Sequence, residues 1–297
     1  MAYRDFSTND TVVKRRAIRE LIAFVALTFA ITFGIGALAI FFRPQVEAIV
    51  GPIGAVSRSW RFFVLFDIAA SAPTISAIVW SFVFGGLEGV KNLFRGLVRP
   101  VQLRWVVVAL LTLPIAYLIW GLAERLVFRD SISSMIDINA LLVSAPLMLF
   151  TTPIIFIDPG GWGEETGWRG FALTRLLTRF SPLIAAIILG AIWAVWHLPA
   201  FLISGTAQSH FSFGWFFARD ICLSIFMTWI FVNANRNFLV AGFIPHIVNN
   251  IAFGAHAVLG IEADAVVMIS IAALIIVLSG PGLKGWRFVA MTKPEDI

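Results

Sequence analysis

Two adjacent carboxylates, Glu164 and Glu165, and an arginine four residues after the second, Arg169, lie in a chain that is otherwise strongly apolar. Charged side chains within the hydrocarbon core of a bilayer cost about 2.5–3.5 kcal/mol each on insertion scales, so they are candidates for a functional site. On a helix, Glu165 and Arg169 share one face and can form an ion pair. Glu164 then points about 100° away and is available for other chemistry. The alternative is a solvated turn at the membrane interface that carries an ordinary ion pair.

Two further pairs of polar residues lie on later apolar segments. Trp193 and His197 are one helical turn apart, as are His246 and Asn250, so each pair shares a helix face. The alternative for His197 is a hydrogen-bonded packing residue. For His246 and Asn250 it is a hydrogen bond between helices, which is worth about 0.6 kcal/mol in a bilayer.

The spacing of these residues from the predicted turns places them at a similar depth. Glu164 lies 17 residues before Ser181, where a turn is predicted, and His197 lies 16 residues after it. In an antiparallel helix pair both residues are then about 24–26 Å from the turn, or about 15 Å inside the hydrocarbon if the turn protrudes by about 10 Å. His246 lies 10 residues after Arg236, which is also about 15 Å deep. We therefore predict that three segments meet at one site, provided that residues 163–180 are embedded in the membrane.

The composition indicates the class of protein that must hold these residues. The chain has 297 residues, of which 59% are hydrophobic and only 13% are charged, and its mean hydropathy is +0.90. Since soluble proteins are about a quarter charged, these values exclude a water-soluble domain and a disordered chain. The long unbroken apolar runs predict an all-α polytopic membrane protein rather than an outer-membrane barrel. Cys222 is the only cysteine, which excludes an intrachain disulfide and a cysteine metal site.

A helix that spans the hydrocarbon core needs about 20 apolar residues, and we predict eight such segments. They form one bundle at 17–280 between cytoplasmic tails at 1–16 and 281–297, and the fourth is a broken helix that carries the Glu-Glu-x-x-x-Arg motif. The first apolar run is too long for a cleavable signal peptide, so none is expected. The segments lie near 17–42, 62–86, 105–127, 140–179, 182–203, 215–234, 238–259 and 265–280.

The distribution of lysine and arginine predicts the orientation of the bundle. With the N-terminus inside, 16 of the 22 basic residues fall in cytoplasmic segments and 6, among them Arg219, fall outside. By the positive-inside rule, we predict a multi-pass protein of the plasma (inner) membrane with both termini cytoplasmic. The loop 204–214 and the acidic residues Glu262 and Asp264 are then predicted to be outside. The net charge of +5 is thereby assigned to orientation, and no nucleic-acid partner is expected.

Taken together, the three motifs resemble those of the CPBP family, the Rce1-like CAAX-protease and bacteriocin-processing intramembrane proteins. The family signature is Glu-Glu-x-x-x-Arg, then an aromatic residue four positions before a histidine, then His-x-x-x-Asn. In this chain these motifs are Glu164–Arg169, Trp193–His197 and His246–Asn250, in the same order and on separate apolar segments. The one departure is Trp193, where the family pattern often has phenylalanine.

The resemblance implies an α-helical intramembrane peptidase that cleaves a membrane-associated peptide or protein within the lipid bilayer. By analogy, Glu164 and His197 hold and activate the attacking water. His246 and Asn250 stabilise the oxyanion of the tetrahedral intermediate, a task in which each donor is worth about 2.7–4 kcal/mol. The remaining motif residues are expected to support the site: Glu165, Arg169 and Trp193.

The resemblance leaves the cofactor open. Two histidines and a glutamate form a known zinc ligand set, and the family is often classed with metallopeptidases, so a divalent metal such as zinc is one hypothesis. A glutamate-activated water without a metal is the other. The sequence does not choose between the two.

Two other classes of function remain as alternatives. A proton-coupled transporter could use Glu164, His197 and His246 as a relay, although no inverted repeat is evident. A non-catalytic membrane scaffold or immunity protein could share the same fold. The signatures of other peptidases are missing, because no His-Glu-x-x-His, Gly-x-Ser-x-Gly, Gly-Asp or Tyr-Asp sequence occurs.

Overall fold

The computed structural model describes residues 6–53, 59–127 and 160–285 of the chain. Within these ranges the chain is built from helices and contains no strand, which confirms the predicted all-α polytopic membrane fold. The α-helices are α1 Phe6–Phe41, α2 Arg43–Val50, α3 Trp60–Ala70, α4 Ala72–Arg95, α5 Leu103–Val127, α6 Leu173–Leu176, α7 Pro182–Trp196, α8 Leu198–Leu202, α9 Phe213–Asn233 and α10 Ile244–Ser279. Three π-helical segments complete them: π1 Gly160–Glu164, π2 Thr166–Ala172 and π3 Leu239–Phe243.

Six of the described helices are long and apolar enough to cross a membrane. The first half of the predicted segment 140–179 falls outside the described residues, and the segment 238–259 contains a shorter apolar helix, Leu239–Ile251. The count of eight spans and the two cytoplasmic tails therefore stay predictions. The six candidate spans are Val12–Phe41, Ala72–Arg95, Leu103–Ala123, Pro182–Leu202, Phe213–Asn233 and Gly260–Ser279.

The outer surface of the bundle is apolar, as contact with lipid requires. Phe82 of α4, Leu118 of α5 and Leu274 of α10 are 55%, 51% and 57% exposed, and many other large apolar side chains are exposed as well. Soluble proteins rarely expose apolar patches on this scale. The fold thus directs large apolar groups outward and buries several of its charged groups.

The predicted span 62–86 is divided into two helices at Ser71. The cause is Pro73, which has no backbone N–H and cannot donate to the carbonyl of Ala69 four residues before it. That carbonyl instead accepts a hydrogen bond of 2.9 Å from the hydroxyl of Thr32 on α1. The break is thus stabilised by a side chain from a neighbouring helix.

The last two predicted segments, 238–259 and 265–280, join into one long element that bends sharply. Gly260 has φ 78° and ψ 154° within α10, a conformation outside the helical region. A left-handed φ of this kind suits glycine, which has no Cβ to clash with the backbone. The bend separates the half of α10 that carries His246 from the candidate span Gly260–Ser279.

The turn predicted at Ser181–Pro182 is present and begins α7. The Ser181 hydroxyl accepts a hydrogen bond of 3.5 Å from the backbone N–H of Ile184, and Pro182 occupies the first turn of the helix. This is a typical helix start, since proline lacks an N–H that would otherwise be unsatisfied there. The segment 160–176 and α7 therefore fold back on each other and pack together, as the hairpin prediction requires.

The orientation predicted from the basic residues can be tested by labelling. In a Cys222→Ser background, a cysteine in place of Ser209 should react with a membrane-impermeant maleimide from outside intact cells. A cysteine in place of Lys284 should react only after the membrane is opened, because 16 of the 22 basic residues lie on that predicted side. The reverse pattern of labelling would overturn the proposed orientation.

Candidate active site

Glu165 is the centre of a fully buried charge cluster. Its Oε1 accepts a hydrogen bond from Arg169 Nη1 at 2.8 Å, which confirms the predicted ion pair. The same oxygen lies 2.7 Å from Nδ1 of His246 at the start of α10. Neither Glu165 nor Arg169 has any exposed surface. The carboxylate thus joins the π-helical motif to the seventh predicted segment.

Glu164 faces a different set of partners. Its Oε2 accepts a hydrogen bond of 2.7 Å from the indole N–H of Trp193 on α7. Its Oε1 lies 4.0 Å from Nε2 of His246, which is too long for a direct hydrogen bond. A contact of this length is one that a single bridging water can complete. Glu164 is therefore held on one oxygen and directed toward an imidazole by the other.

Trp193 contacts most of the other predicted site residues. Its backbone carbonyl accepts a hydrogen bond from Nδ1 of His197 at 2.9 Å. Its ring centroid lies 5.8 Å from that of His197 and 5.5 Å from that of His246. The guanidinium of Arg169 stacks over the indole, with Cζ 4.5 Å from the ring centroid. Trp193 therefore separates the two histidine rings and links both to Glu164.

A cavity of about 70 Å³ lies beside these groups. It is large enough for two waters, since a water occupies about 30 Å³ in the liquid. Four of the seven predicted site residues line it, and these four come from α7, its C-terminal boundary and α10. The lining residues are Trp193, His197, Gln208, Phe216, Arg219, Asp220, His246, Asn249 and Asn250.

Asn250 lies at the exposed edge of this cavity, whereas Asn249 is buried. The side-chain amide of Asn249 donates a hydrogen bond of 3.3 Å to Oδ1 of Asn250. This contact leaves the amide nitrogen of Asn250 as the group that faces the motif. The side chain is therefore oriented as a donor, which is the orientation that an oxyanion requires.

Gly160 packs closely against the two polar groups of α10. A Cβ at this position would lie 2.5 Å from Nε2 of His246 and 2.7 Å from Nδ2 of Asn250. Gly167 packs in the same way against the backbone of Pro73, where a Cβ would lie 2.5 Å from the carbonyl carbon. Glycine at these two positions lets the segment 160–172 pack closely against α10 and against the start of α4.

Replacement of Gly160 by alanine should therefore displace the His246 ring and reduce activity by about 100-fold, the cost of an approximately 1 Å misplacement. Peptide hydrolysis by the purified variant in detergent measures the effect. Gly34→Ala is the matched control, because a Cβ there meets nothing within 4 Å. Equal activity of the two variants would show that the close packing of Gly160 against His246 is not needed for catalysis.

The tautomers of both histidines follow from their partners. In His197 the Nδ1 atom faces a carbonyl oxygen, and in His246 it faces a carboxylate oxygen. Both partners only accept hydrogen bonds, so Nδ1 carries the proton in each neutral ring. The Nε2 atoms are then hydrogen-bond acceptors. A hydrogen bond donated from Nε2 of His246 would need a proton on both ring nitrogens, and the ring lies between the carboxylates of Glu164 and Glu165.

The structure also contains a buried polar network that the sequence analysis did not predict. Arg219 on α9 donates to Asp220 at 2.8 Å and contacts Asp264 and Asn249. Tyr117 on α5 donates to Asp264. All of these side chains are buried except Tyr117, which is partly exposed. The network joins α5, α9 and α10, and three of its members, Arg219, Asp220 and Asn249, also line the cavity.

Two of these residues correct the sequence analysis. Asp264 was predicted to lie in the last outer loop, but it is in a helix and is 0% exposed. Arg219 was counted among the basic residues on the outer side, but it is buried in α9 and is 2% exposed. Each charge is stabilised by the other, so neither needs water. The detectable signal was the pair Arg219-Asp220 close to the start of the apolar run 215–234.

Asp220 connects this network to the predicted site. Its Oδ1 is held by Arg219, and its Oδ2 lies 3.7 Å from Nδ1 of His197. The Oδ2 atom has no hydrogen-bond partner among the described residues. The ring of His197 thus lies beside a buried acidic side chain of α9.

A metal site was left open by the sequence analysis. Among the residues that the structure describes, no three His, Cys, Asp or Glu side chains are arranged so that they could hold a metal ion. The two histidine Nε2 atoms and Glu164 are donors of the right chemical type, but they do not form such a group. The geometry of the described side chains therefore does not fit a zinc centre.

The fold and the site together define a polytopic helical membrane protein with a buried carboxylate–imidazole centre. Residues 138–252 match the model of the family described as type II CAAX prenyl endopeptidase Rce1-like. This region contains all seven predicted site residues, so the match supports the resemblance predicted from the three motifs.

One curated relative supports the same assignment. It is CAAX prenyl protease 2 of Methanococcus maripaludis, which is 31% identical over 94 residues that cover 30% of this chain and 34% of the relative. The chain thus matches about a third of the length of this relative. Both matches are to peptidases, in agreement with the predicted enzyme class.

Proposed function

We propose that the protein is an intramembrane endopeptidase that hydrolyses a peptide bond in a membrane-associated protein or peptide. The observation that carries the proposal is the position of Glu164. Its buried carboxylate is fixed by Trp193 and lies 4.0 Å from Nε2 of His246. Both of these partners line the cavity, together with His197 and Asn250. A carboxylate and an imidazole can activate a water, and an imidazole and an amide can donate hydrogen bonds to an oxyanion, so these groups are sufficient for peptide hydrolysis by water.

In the proposed reaction Glu164 accepts a proton from a water molecule as the water oxygen attacks the carbonyl carbon of the scissile bond. The carbonyl oxygen becomes an oxyanion, which accepts hydrogen bonds from the Asn250 amide and the protonated ring of His246. The proton on Glu164 then moves to the amide nitrogen of the substrate, and the C–N bond breaks. Water is consumed, and a carboxylic acid and an amine are released.

His197 acts with Glu164 on the water in this proposal. Its Nδ1 is held by the carbonyl of Trp193, so Nε2 is the atom that accepts a hydrogen bond. Asp220 on α9, whose Oδ2 lies 3.7 Å from Nδ1, contacts the other side of this nitrogen. Asp220 therefore acts in this proposal as a positioning residue for His197.

The substrate class follows from two arguments. The site is buried in a bundle whose outer surface is apolar, so the substrate must reach it from the membrane. The family description and the name of the Methanococcus relative both refer to CAAX prenyl substrates. We therefore propose a CAAX-protease-like activity on a peptide that is associated with the bilayer.

The proposal is tested with purified protein in detergent and a panel of membrane-associated peptides, prenylated and not prenylated. Cleavage should be seen with the natural chain and lost with Glu164→Ala. The same assay with 1,10-phenanthroline distinguishes a metal-dependent reaction from a glutamate-activated water. A well-folded natural chain that cleaves none of the peptides would favour the scaffold or immunity alternative.

A further inference from the structure

A second and larger cavity, of about 440 Å³, lies away from the candidate active site and is rich in arginine. Four arginines line it, and they come from four separate parts of the chain: Arg16 on α1, Arg99 in the connection after α4, Arg175 on α6 and Arg236 in the turn after α9. All four belong to segments that the charge distribution assigns to the cytoplasmic side. Their convergence gathers positive charge from distant parts of the sequence at one place.

The cavity lacks the acidic groups that would neutralise these arginines. Glu20 is shared, because it accepts from Arg16 at 2.8 Å and from Arg175 at 3.0 Å. The second acidic residue of the lining, Glu88, already pairs at 2.9 Å with Arg95, which does not line the cavity. Four guanidinium groups thus face one available carboxylate.

Arg99 and Arg236 form no ion pair with any residue that the structure describes. The backbone segments that carry them are nevertheless fixed to each other. Asn237 donates from its side chain to the carbonyls of Leu97, at 3.2 Å, and Arg99, at 2.6 Å. The N–H of Phe238 donates to the carbonyl of Gly96 at 3.2 Å.

The turn that presents Arg236 has an unusual backbone. Arg236 and the preceding Asn235 have φ values of 56° and 55°, in the left-handed region. This region is uncommon for arginine, and such conformations persist only where the surrounding structure imposes them. Here the side chain of Asn235 donates to the carbonyl of Pro100 at 3.2 Å. The turn therefore holds Arg236 beside the Arg99 segment.

We propose that this cavity binds a phosphate group, supplied either by the headgroup of an anionic lipid or by a soluble phosphate compound. Guanidinium groups bind phosphate through paired, charge-assisted hydrogen bonds. Basic pockets between helices at a cytoplasmic membrane surface are typical sites for anionic headgroups. Phe84, Phe231 and Phe238 add an apolar wall to the cavity, which suits the acyl chain of a lipid. The cavity does not include any residue of the proposed catalytic site.

The test is the thermal unfolding of the purified full chain in phosphatidylcholine nanodiscs that contain increasing fractions of phosphatidylglycerol. We expect phosphatidylglycerol to raise the melting temperature in a saturable way. In the variant Arg99→Gln/Arg236→Gln the half-saturating fraction should rise by roughly thirtyfold, because each basic residue contributes about a fivefold factor at an anionic surface. A parallel titration with inorganic phosphate at constant ionic strength identifies a soluble phosphate compound as the source if it gives the same arginine-dependent shift.

The matched control is Arg104→Gln/Arg179→Gln, which removes the same charge from exposed residues on the same predicted side but outside the cavity. This variant should respond to phosphatidylglycerol as the natural chain does. Each variant is compared with itself in pure phosphatidylcholine, so a lower basal stability does not affect the result. The proposal is wrong if the Arg99/Arg236 variant responds like the control, or if neither phosphatidylglycerol nor phosphate stabilises the natural chain. None of these results depends on peptidase activity.

Discussion

Glu164→Gln should reduce peptide hydrolysis by about 10²–10⁴-fold, the usual contribution of a general base, while the protein stays folded. Glutamine has the shape of glutamate, and its side-chain oxygen can still accept the hydrogen bond that Trp193 donates at 2.7 Å. It cannot accept a proton from water. The rate of cleavage and the thermal unfolding of the variant in detergent separate the two effects.

Glu262→Gln is the control for this experiment. Glu262 is an exposed carboxylate on α10, and the same substitution there should change neither the rate nor the melting temperature. Near-normal turnover by a folded Glu164→Gln protein would remove Glu164 as the base. A variant that does not fold would instead indicate that the carboxylate has a structural role beside His246.

Arg219→Gln should lower the free energy of unfolding by about 3–5 kcal/mol, which is the usual cost of removing one partner from a buried ion pair. Arg219 is 2% exposed and contacts two carboxylates, Asp220 and Asp264. Without the guanidinium, both acids stay buried with no cation among these partners. Denaturant unfolding of the purified protein, followed by circular dichroism, measures the change.

Two further variants make the test specific. Arg104→Gln removes an exposed arginine and should change stability by less than about 1 kcal/mol. Arg219→Met combined with Asp264→Leu removes one ion pair and leaves Asp220 as the one acid without this cation. It should recover part of the loss, because apolar replacements of a buried pair are often tolerated. If Arg219→Gln is no less stable than Arg104→Gln, the network does not hold α9 and α10 together.

The sequence was most informative where the chemistry is local. The ion pair between Glu165 and Arg169 depends only on their separation along a helix, so spacing was enough to predict it. The contact between Glu164 and His246 depends on the packing of distant segments. Equal depth in the membrane predicted their approach but could not give the rotation of each helix about its axis.

Trp193 illustrates a contact that depends on the rotation of a helix about its axis. Its aromatic character was recognised, but its indole N–H donates to Glu164, which phenylalanine at the same position could not do. Glu164 was predicted to be available because Glu165 takes Arg169. In the structure one of its oxygens is already held, and only the other faces His246.

The count of basic residues on each side of the membrane misplaced an arginine whose charge is neutralised inside the bundle. The positive-inside rule treats each arginine as a solvated group, and Arg219 was therefore counted among the solvated residues on the outer side. In the structure Arg219 is paired with Asp264, which lies 45 residues later in the sequence. Pairs this far apart have no local signature, so Asp220, Asn249 and Tyr117 were not identified as neighbours of the site either.

The π-helical geometry of Thr166–Ala172 makes the motif sensitive to its length. A π-helix pairs residues five apart instead of four, so each turn contains an extra residue that an α-helix does not need. Deletion of one residue here would allow an ordinary α-helix and would rotate everything before it by about 100°, which would carry Glu164 away from Trp193. Substitutions in this segment can leave the register intact, whereas a one-residue insertion or deletion cannot. The segment should therefore be aligned without gaps in related chains and kept at constant length when the protein is engineered.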